Sequence, residues 1–370
     1  MRKIIIFIII ETLLFAMTAC NNNTINIPAE EQQFQNEHHE QQNEEHKEKQ
    51  VYEIINENII IGEGTEWELP GLLTVPKNAE GKIPAVVLVH GSGPQDMDET
   101  IFINNKPFRD IANYLSSQGI AVIRYDKRTF KHSLKFVREI GKNATVYEET
   151  IEDAILATEI LKSDPRIDKN KVFILGHSLG GMLAPRIHAM GGDFAGLILF
   201  AGTPRSLLEV MHDQQILYYT ETMESEELEK ILTLINDGTT KTQLEEQTAL
   251  IINMSDEEAK AVDGGSGVSC YYYKDLLLNP AEIFIKDITV PFLVMQGNND
   301  WQVFTDKDFA MYKKLLGDRS NVTFKLYEGL NHFFMPSTVT KSIDINDEYK
   351  IANHIDSQVL TDIADWINAN

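Results

Sequence analysis

The segment Lys171-Val172-Phe173-Ile174-Leu175-Gly176-His177-Ser178-Leu179-Gly180-Gly181 constrains the fold more than any other part of the chain. A short apolar run rich in β-branched and aromatic residues reads as a buried strand. It stops at Gly176-His177-Ser178-Leu179-Gly180, a G-x-S-x-G pattern, and residues 182–188 then suit a helix. Strand, sharp turn and helix make up the context in which this pentapeptide is a nucleophile elbow. Such a turn strains the serine backbone, and side chains two residues to either side would collide, which calls for glycine at both places. Ser178 would then stand at the C-terminal edge of a sheet, with the backbone N–H of Leu179 facing a developing oxyanion. Taken alone, the pentapeptide also admits a plainer role in which Ser178 only caps the helix that follows.

The flanking sequence repeats the same alternation. Residues 51–61 and 67–75 read as strands joined by Gly62-Glu63-Gly64. Residues 83–89 form a buried strand that runs into His90-Gly91-Ser92-Gly93-Pro94. A glycine-rich turn at that end lets backbone N–H groups approach a ligand, and the N–H of Ser92 is the candidate second oxyanion donor. A helix over 108–118, a strand over 120–125, a helix over 146–161 and a strand over 194–200 follow. This order gives an α/β fold, a mostly parallel sheet flanked by helices, with its site outside the carboxyl ends of the strands. Residues 204–286 break the alternation, and Leu228, Ile231, Leu232 and Ile235 have helical spacing there, so a helical cap insertion is expected. Within it, Gly264-Gly265-Ser266-Gly267 has no strand context and reads as a flexible loop, with Cys270 as a free thiol. The core, 51–203, then resumes over 287–370 with strands at 290–296 and 322–327 and helices at 306–316 and 349–367.

Two further chemical groups fall on the edge that carries Ser178. Asp300 closes the loop Gly297-Asn298-Asn299-Asp300 after one strand, and His332 closes Glu328-Gly329-Leu330-Asn331-His332 after the last. A serine hydroxyl is a weak nucleophile, so an imidazole must take its proton and return it to the leaving group. A carboxylate must hold that imidazole in one tautomer and stabilise its cation. Ser178, Asp300 and His332 supply those types in the order Ser…Asp…His. Asp306 and Asp308 are rival acids that read instead as helix-start residues. His90 and His177 belong to the loop and elbow patterns, where the backbone matters more than the ring.

Gly176-His177-Ser178-Leu179-Gly180, Leu88-Val89-His90-Gly91-Ser92-Gly93-Pro94 and Asn331-His332 resemble the corresponding segments of bacterial α/β-hydrolases of the carboxylesterase type. Asp300-Trp301-Gln302-Val303 and Leu330-Asn331-His332-Phe333-Phe334-Met335 resemble the acid and histidine loops of a secreted esterase subgroup with serine aminopeptidase-like and dienelactone-hydrolase-like relatives. The resemblance runs from about Glu53 to the C-terminus and implies the α/β-hydrolase fold, an acyl-enzyme on Ser178, a small-molecule ester substrate, and no metal or organic cofactor. Dienelactone hydrolases use a cysteine where this chain has Ser178. A peptidase on the same triad is the alternative, with Glu221, Glu224, Glu226 and Glu227 as candidate anchors for a substrate amine. A ligand-binding lipoprotein without turnover is a third reading.

The bulk properties narrow the partners. The 370 residues are 43% hydrophobic, enough for a sizeable core, and a net charge of −23 argues against nucleic acid and anionic lipid surfaces. Two cysteines offer no disulfide framework. Met1-Arg2-Lys3, an apolar run over 4–16 and Met17-Thr18-Ala19-Cys20 have a secretory signal layout. The last four residues resemble a bacterial lipobox, although Met17 stands where leucine is usual and Glu11 interrupts the apolar run. Residues 1–19 would then be a signal peptide, with Cys20 lipidated and the chain held on the outer face of a bacterial membrane. An uncleaved anchor or a signal cut elsewhere are the other readings, and the run is short for a span. Residues 20–50, dominated by Asn, Gln, Glu, Lys and His, cannot bury enough apolar surface to order and read as a disordered tether.

Overall fold

A computed structural model of the protein describes residues 51–370 except 103 and 266. The readings of a signal peptide, a lipidated Cys20 and a tether lie outside the described residues. Among the described residues ten strands follow in chain order: β1 (Ile54–Ile61), β2 (Leu69–Pro76), β3 (Ile83–Val89), β4 (Ala121–Tyr125), β5 (Ile167–His177), β6 (Leu197–Phe200), β7 (Asp263–Gly265), β8 (Val268–Ser269), β9 (Phe292–Gly297) and β10 (Val322–Tyr327). Eight of them form one sheet in the order β1-β2-β4-β3-β5-β6-β9-β10. β2 runs antiparallel to both of its neighbours, and every other pairing is parallel.

The central strands are apolar at successive positions because both faces are covered. In β3, Ala85, Val87 and Val89 enter one core, while Val86 and Leu88 enter the other. β5 repeats this with Val172 and Ile174 on the first face and Phe173 and Leu175 on the second. The first face is covered by helices Glu152–Ser163 and Leu179–Ile187, through residues such as Ala157, Leu161 and Leu183. The second is covered by Pro107–Ser117 and Ser357–Ala369, through Ile111, Leu115, Val359 and Ile363. Burying a side chain of this size stabilises the fold by about 1.5–3 kcal/mol, so the central strands carry much of the core.

The sheet order explains where the site lies. From β3 the chain goes to β4 on one side and later to β5 on the other, which opens a crevice beyond their carboxyl ends. β3 and β5 are paired with Val89 opposite Gly176, so the His90–Pro94 loop and the elbow emerge side by side.

Several local expectations need correction. The described parts of the Gly264–Gly267 stretch are not a loose loop: β7 and β8 pair as a small antiparallel ribbon with Asp263 opposite Ser269. The last helix begins at Ser357, after Asp356 caps it by accepting from the Gln358 N–H. It does not extend back to residue 349 because Asn105 holds that stretch open. The Asn105 amide donates to the Tyr349 carbonyl at 2.7 Å and accepts from the Asn353 N–H at 2.7 Å. Those tertiary bonds occupy backbone groups that a helix would need. Short helices Arg128–Lys131 and Ser133–Glu139 follow β4 and are too brief to show a sequence period.

Candidate active site

Ser178 sits between the end of β5 and helix Leu179–Ile187 with φ 54° and ψ −115°. A non-glycine residue there stores about 1–3 kcal/mol of strain and persists only if its surroundings fix it. They do: the Ser178 N–H donates to the Phe200 carbonyl at 3.0 Å, and its carbonyl accepts from the Met182 N–H at 3.0 Å. A Cβ at Gly176 would collide with the Gly180 carbonyl, and one at Gly180 with the Val89 carbonyl. Gly176 therefore answers the tight folding of the elbow on itself, and Gly180 its close approach to β3.

Asp300 follows β9, and His332 follows β10. His332 Nδ1 donates to Asp300 Oδ2 at 2.7 Å, with both side chains almost wholly buried. The carboxylate is fixed further by the N–H groups of Gln302 and Val303 on Oδ1, at 2.8 and 3.0 Å, and by Gln296 Nε2 on Oδ2 at 2.6 Å. With Nδ1 carrying the proton, His332 keeps its Nε2 lone pair for a proton acceptor's role. Asp308 lies in the first turn of Thr305–Phe309, where its carboxylate accepts from the Phe304 N–H at 2.7 Å, and it is wholly buried. It accepts from Arg205 Nε and Nη2 at 2.7 and 2.9 Å and from Thr203 Oγ1, and so anchors the turn after β6. Asp306 is exposed at the start of the turn Thr305–Phe309.

In the His90–Pro94 loop, the Gly91 N–H donates to Glu99 Oε1 at 2.9 Å. That leaves Ser92, the exposed residue next to it, as the loop's candidate donor, with the Leu179 N–H at the helix start as the other candidate. His90 is buried, donates from Nε2 to the Asp96 carbonyl at 3.0 Å, and is pushed down to about 4 by burial, so its ring is neutral. Among the described residues no group of three or more His, Cys, Asp and Glu is placed to hold a metal ion.

This geometry can be set beside known proteins. Residues 85–232 match the family model described as "Serine aminopeptidase, S33". Esterase EstD of Thermotoga maritima is 39% identical over 299 residues, covering 81% of this chain, while the chain spans 65% of that relative's length. The structure of Est1E from Butyrivibrio proteoclasticus superposes with a TM-score of 0.51 at 14% identity, covering 85% of this chain and 99% of that one. The chain has the α/β-hydrolase fold. An acylaminoacyl peptidase of Pyrococcus horikoshii also superposes, with a TM-score of 0.49 at 16% identity, over 81% of this chain and 40% of that one.

One part of this α/β-hydrolase site escaped the sequence reading. The His177 ring, set aside there as a backbone element, lies at 4.6 Å from the His332 ring and joins three loops. Its Nδ1 donates to Glu99 Oε1 at 3.0 Å and its Nε2 to the His332 carbonyl at 3.1 Å. Two acceptors facing two ring nitrogens require both N–H groups, which only the imidazolium has. Burial works against this cation, but the Glu99 carboxylate outweighs it and holds His177 above its ordinary value of 6.5. Burial likewise works against the Glu99 anion, and the His177 charge holds that carboxyl below 4.5.

The pair's stability contribution has a defined window. Its His177 share is complete below 6.5 and is lost as pH rises through the raised folded value. Its Glu99 share is present above 4.5 and is lost as pH falls through the depressed one. Glu99→Gln should therefore cost about 2 kcal/mol, less than for a charge that cannot neutralise itself. Thermal unfolding across pH should show the largest gap from wild type between 4.5 and 6.5. A gap that does not vary with pH would show that the pair is not ionised.

The helices between β6 and β9 reach the site at defined points. Gln214, on helix Leu207–Thr222, donates to the Gln302 carbonyl at 2.7 Å, beside the acid loop. Asp275 of helix Cys270–Leu278 accepts from Arg186 of the elbow helix at 2.6 and 2.9 Å. Glu221 receives the N–H of Ser342 at 3.1 Å, its hydroxyl at 2.6 Å and the N–H of Ile343 at 3.1 Å. A cavity of about 180 Å³ lined by Ile55, Val75, Ile83 and Arg166 lies at the opposite, amino-terminal end of β3 and β5 and has no part in this chemistry.

Proposed function

We propose that the protein hydrolyses small carboxylic esters through an acyl-enzyme on Ser178. The observation that carries this reading is the buried Asp300–His332 hydrogen bond on the sheet edge that also bears the strained Ser178 elbow. Ser178 Oγ attacks the ester carbonyl while His332 Nε2 accepts its proton, and the N–H groups of Leu179 and Ser92 receive the oxyanion. Asp300 holds the imidazole tautomer and stabilises the imidazolium. Collapse breaks the C–O bond, and the leaving alcohol takes the proton from His332. Water then attacks the acyl-enzyme with His332 again as base, freeing the acid and Ser178. The esterase name of the Thermotoga maritima relative supports this substrate class.

An aminopeptidase would need an acid that is both unengaged and buried against the substrate amine. Glu221 is bound to the 342–343 backbone, Glu226 pairs with Lys230 at 3.0 Å on an exposed helix face, and Glu224 and Glu227 are exposed. These placements favour the ester over the peptide. On the lipobox-like segment, the proposal puts the enzyme on the outer face of a bacterial membrane through Cys20. The test assays the full chain on p-nitrophenyl acyl esters beside amino-acyl p-nitroanilides. Ester turnover is expected, in the membrane fraction for wild type and in the soluble fraction for Cys20→Ser. Turnover confined to the anilides would overturn the esterase reading.

A further inference from the structure

Lys127 is almost wholly buried just after β4, an unusual place for an ammonium. Its Nζ donates to the Gly91 carbonyl at 2.9 Å and pairs with Glu149 Oε1 at 2.7 Å. Glu149 Oε2 in turn accepts from the hydroxyl of Tyr272, which stands on helix Cys270–Leu278 and is buried with it. Burial first, and then the Glu149 charge, hold that phenol far above its usual range, so it stays a donor. A continuous chain of buried polar contacts thus leads from the inserted helices to the loop after β3.

The covalent geometry of the loop gives this chain a function. The Gly91 C=O and the Ser92 N–H belong to one planar trans peptide and point in opposite directions. A group that grips the carbonyl from behind therefore aims the N–H forward. The neighbouring peptide is fixed as well, since the Gly91 N–H is held by Glu99. An ammonium on the carbonyl also polarises the peptide and makes its N–H a stronger donor, most of all in a site with little water.

We propose that Lys127, held by Glu149 and by Tyr272 of the inserted helices, is a positioning residue that aims the Ser92 N–H at the oxyanion. The inference rests on the serine-hydrolase reading above. It makes the oxyanion hole depend on the seating of the Cys270–Leu278 helix, so displacement of that helix weakens transition-state binding before it weakens substrate binding.

The test compares wild type with Lys127→Met/Glu149→Gln, which removes both buried charges together, and with Tyr272→Phe, which removes one hydroxyl. Each is assayed for kcat and KM on the best p-nitrophenyl ester and for Ki of a trifluoromethyl ketone with the same acyl group. That ketone adds to Ser178 reversibly and places an oxyanion in the hole. The double variant should lose about 10–100-fold in kcat, with Ki raised by the same factor and KM within about threefold. Tyr272→Phe should show the same pattern at roughly two- to fivefold, and it keeps the test open if the double variant does not fold. A folded double variant with wild-type kcat and Ki overturns the proposal, as does a loss seen in KM alone or an unchanged Tyr272→Phe. If the serine-hydrolase reading itself is at fault, wild type will not react with a fluorophosphonate at Ser178. Labelling of wild type with unaffected variants would overturn the positioning role alone.

Discussion

Replacing Ser178 with alanine is expected to lower kcat/KM for ester hydrolysis by about 10⁶-fold. Without Oγ there is no atom to carry the acyl group, and His332 can at best activate a water held less well than the hydroxyl. The loss should therefore fall on kcat, with KM little changed. The residual rate would reflect the oxyanion donors and binding alone. Stability should hardly move. Alanine keeps the Cβ that φ 54° already accommodates, and the backbone bonds to Phe200 and Met182 do not involve the side chain. Unfolding temperature within a few degrees of wild type, with turnover gone, is the expected pair of results. A folded Ser178→Ala protein that retained a tenth of the wild-type rate would exclude the acyl-enzyme.

What sequence could and could not reveal follows from the range of each interaction. The elbow announces itself because its cause is local: Gly176 and Gly180 flank Ser178 within five residues, and the clash they avoid involves those same residues and β3. Asp300 and His332 are legible because each closes the loop after a recognisable strand, and a parallel sheet brings those loops to one edge. Glu99, Lys127, Glu149 and Tyr272 carry no such mark. Glu99 meets His177 across 78 positions, Lys127 meets Gly91 across 36, and Tyr272 meets Glu149 across 123. No period or spacing encodes those distances, so a buried acid or lysine looks like a surface one until the fold is known. Asp308 does stand at a helix start, but its burial against Arg205, 103 positions away, is invisible for the same reason. The start of the last helix was missed because Asn105, 244 positions before Tyr349, decides it.

Asp300→Asn is the sharper test of how the imidazole is held. The asparagine has the size of the aspartate, but its two ends are no longer alike. If its oxygen stays on the Gln302 and Val303 N–H groups, its NH₂ faces His332 Nδ1 and Gln296 Nε2. A donor then meets Nδ1, which must become the acceptor, so the ring proton moves to Nε2 and the base proposed for Ser178 is lost. The flipped amide would point its NH₂ at two backbone N–H groups in a buried site, which costs more. The first arrangement should win, with Gln296 turning its own amide to accept and giving up its 3.1 Å bond to the Val303 carbonyl. The expected result is a fall in kcat of about 10³–10⁴-fold with KM nearly unchanged. The imidazolium formed during the reaction also loses its counter-charge, in a place where water cannot replace it. Steady-state kinetics on the folded variant decide the point. Retention of more than a tenth of kcat would mean that the histidine keeps its tautomer without Asp300, and that the backbone around His332, including its carbonyl bond to His177, does the orienting.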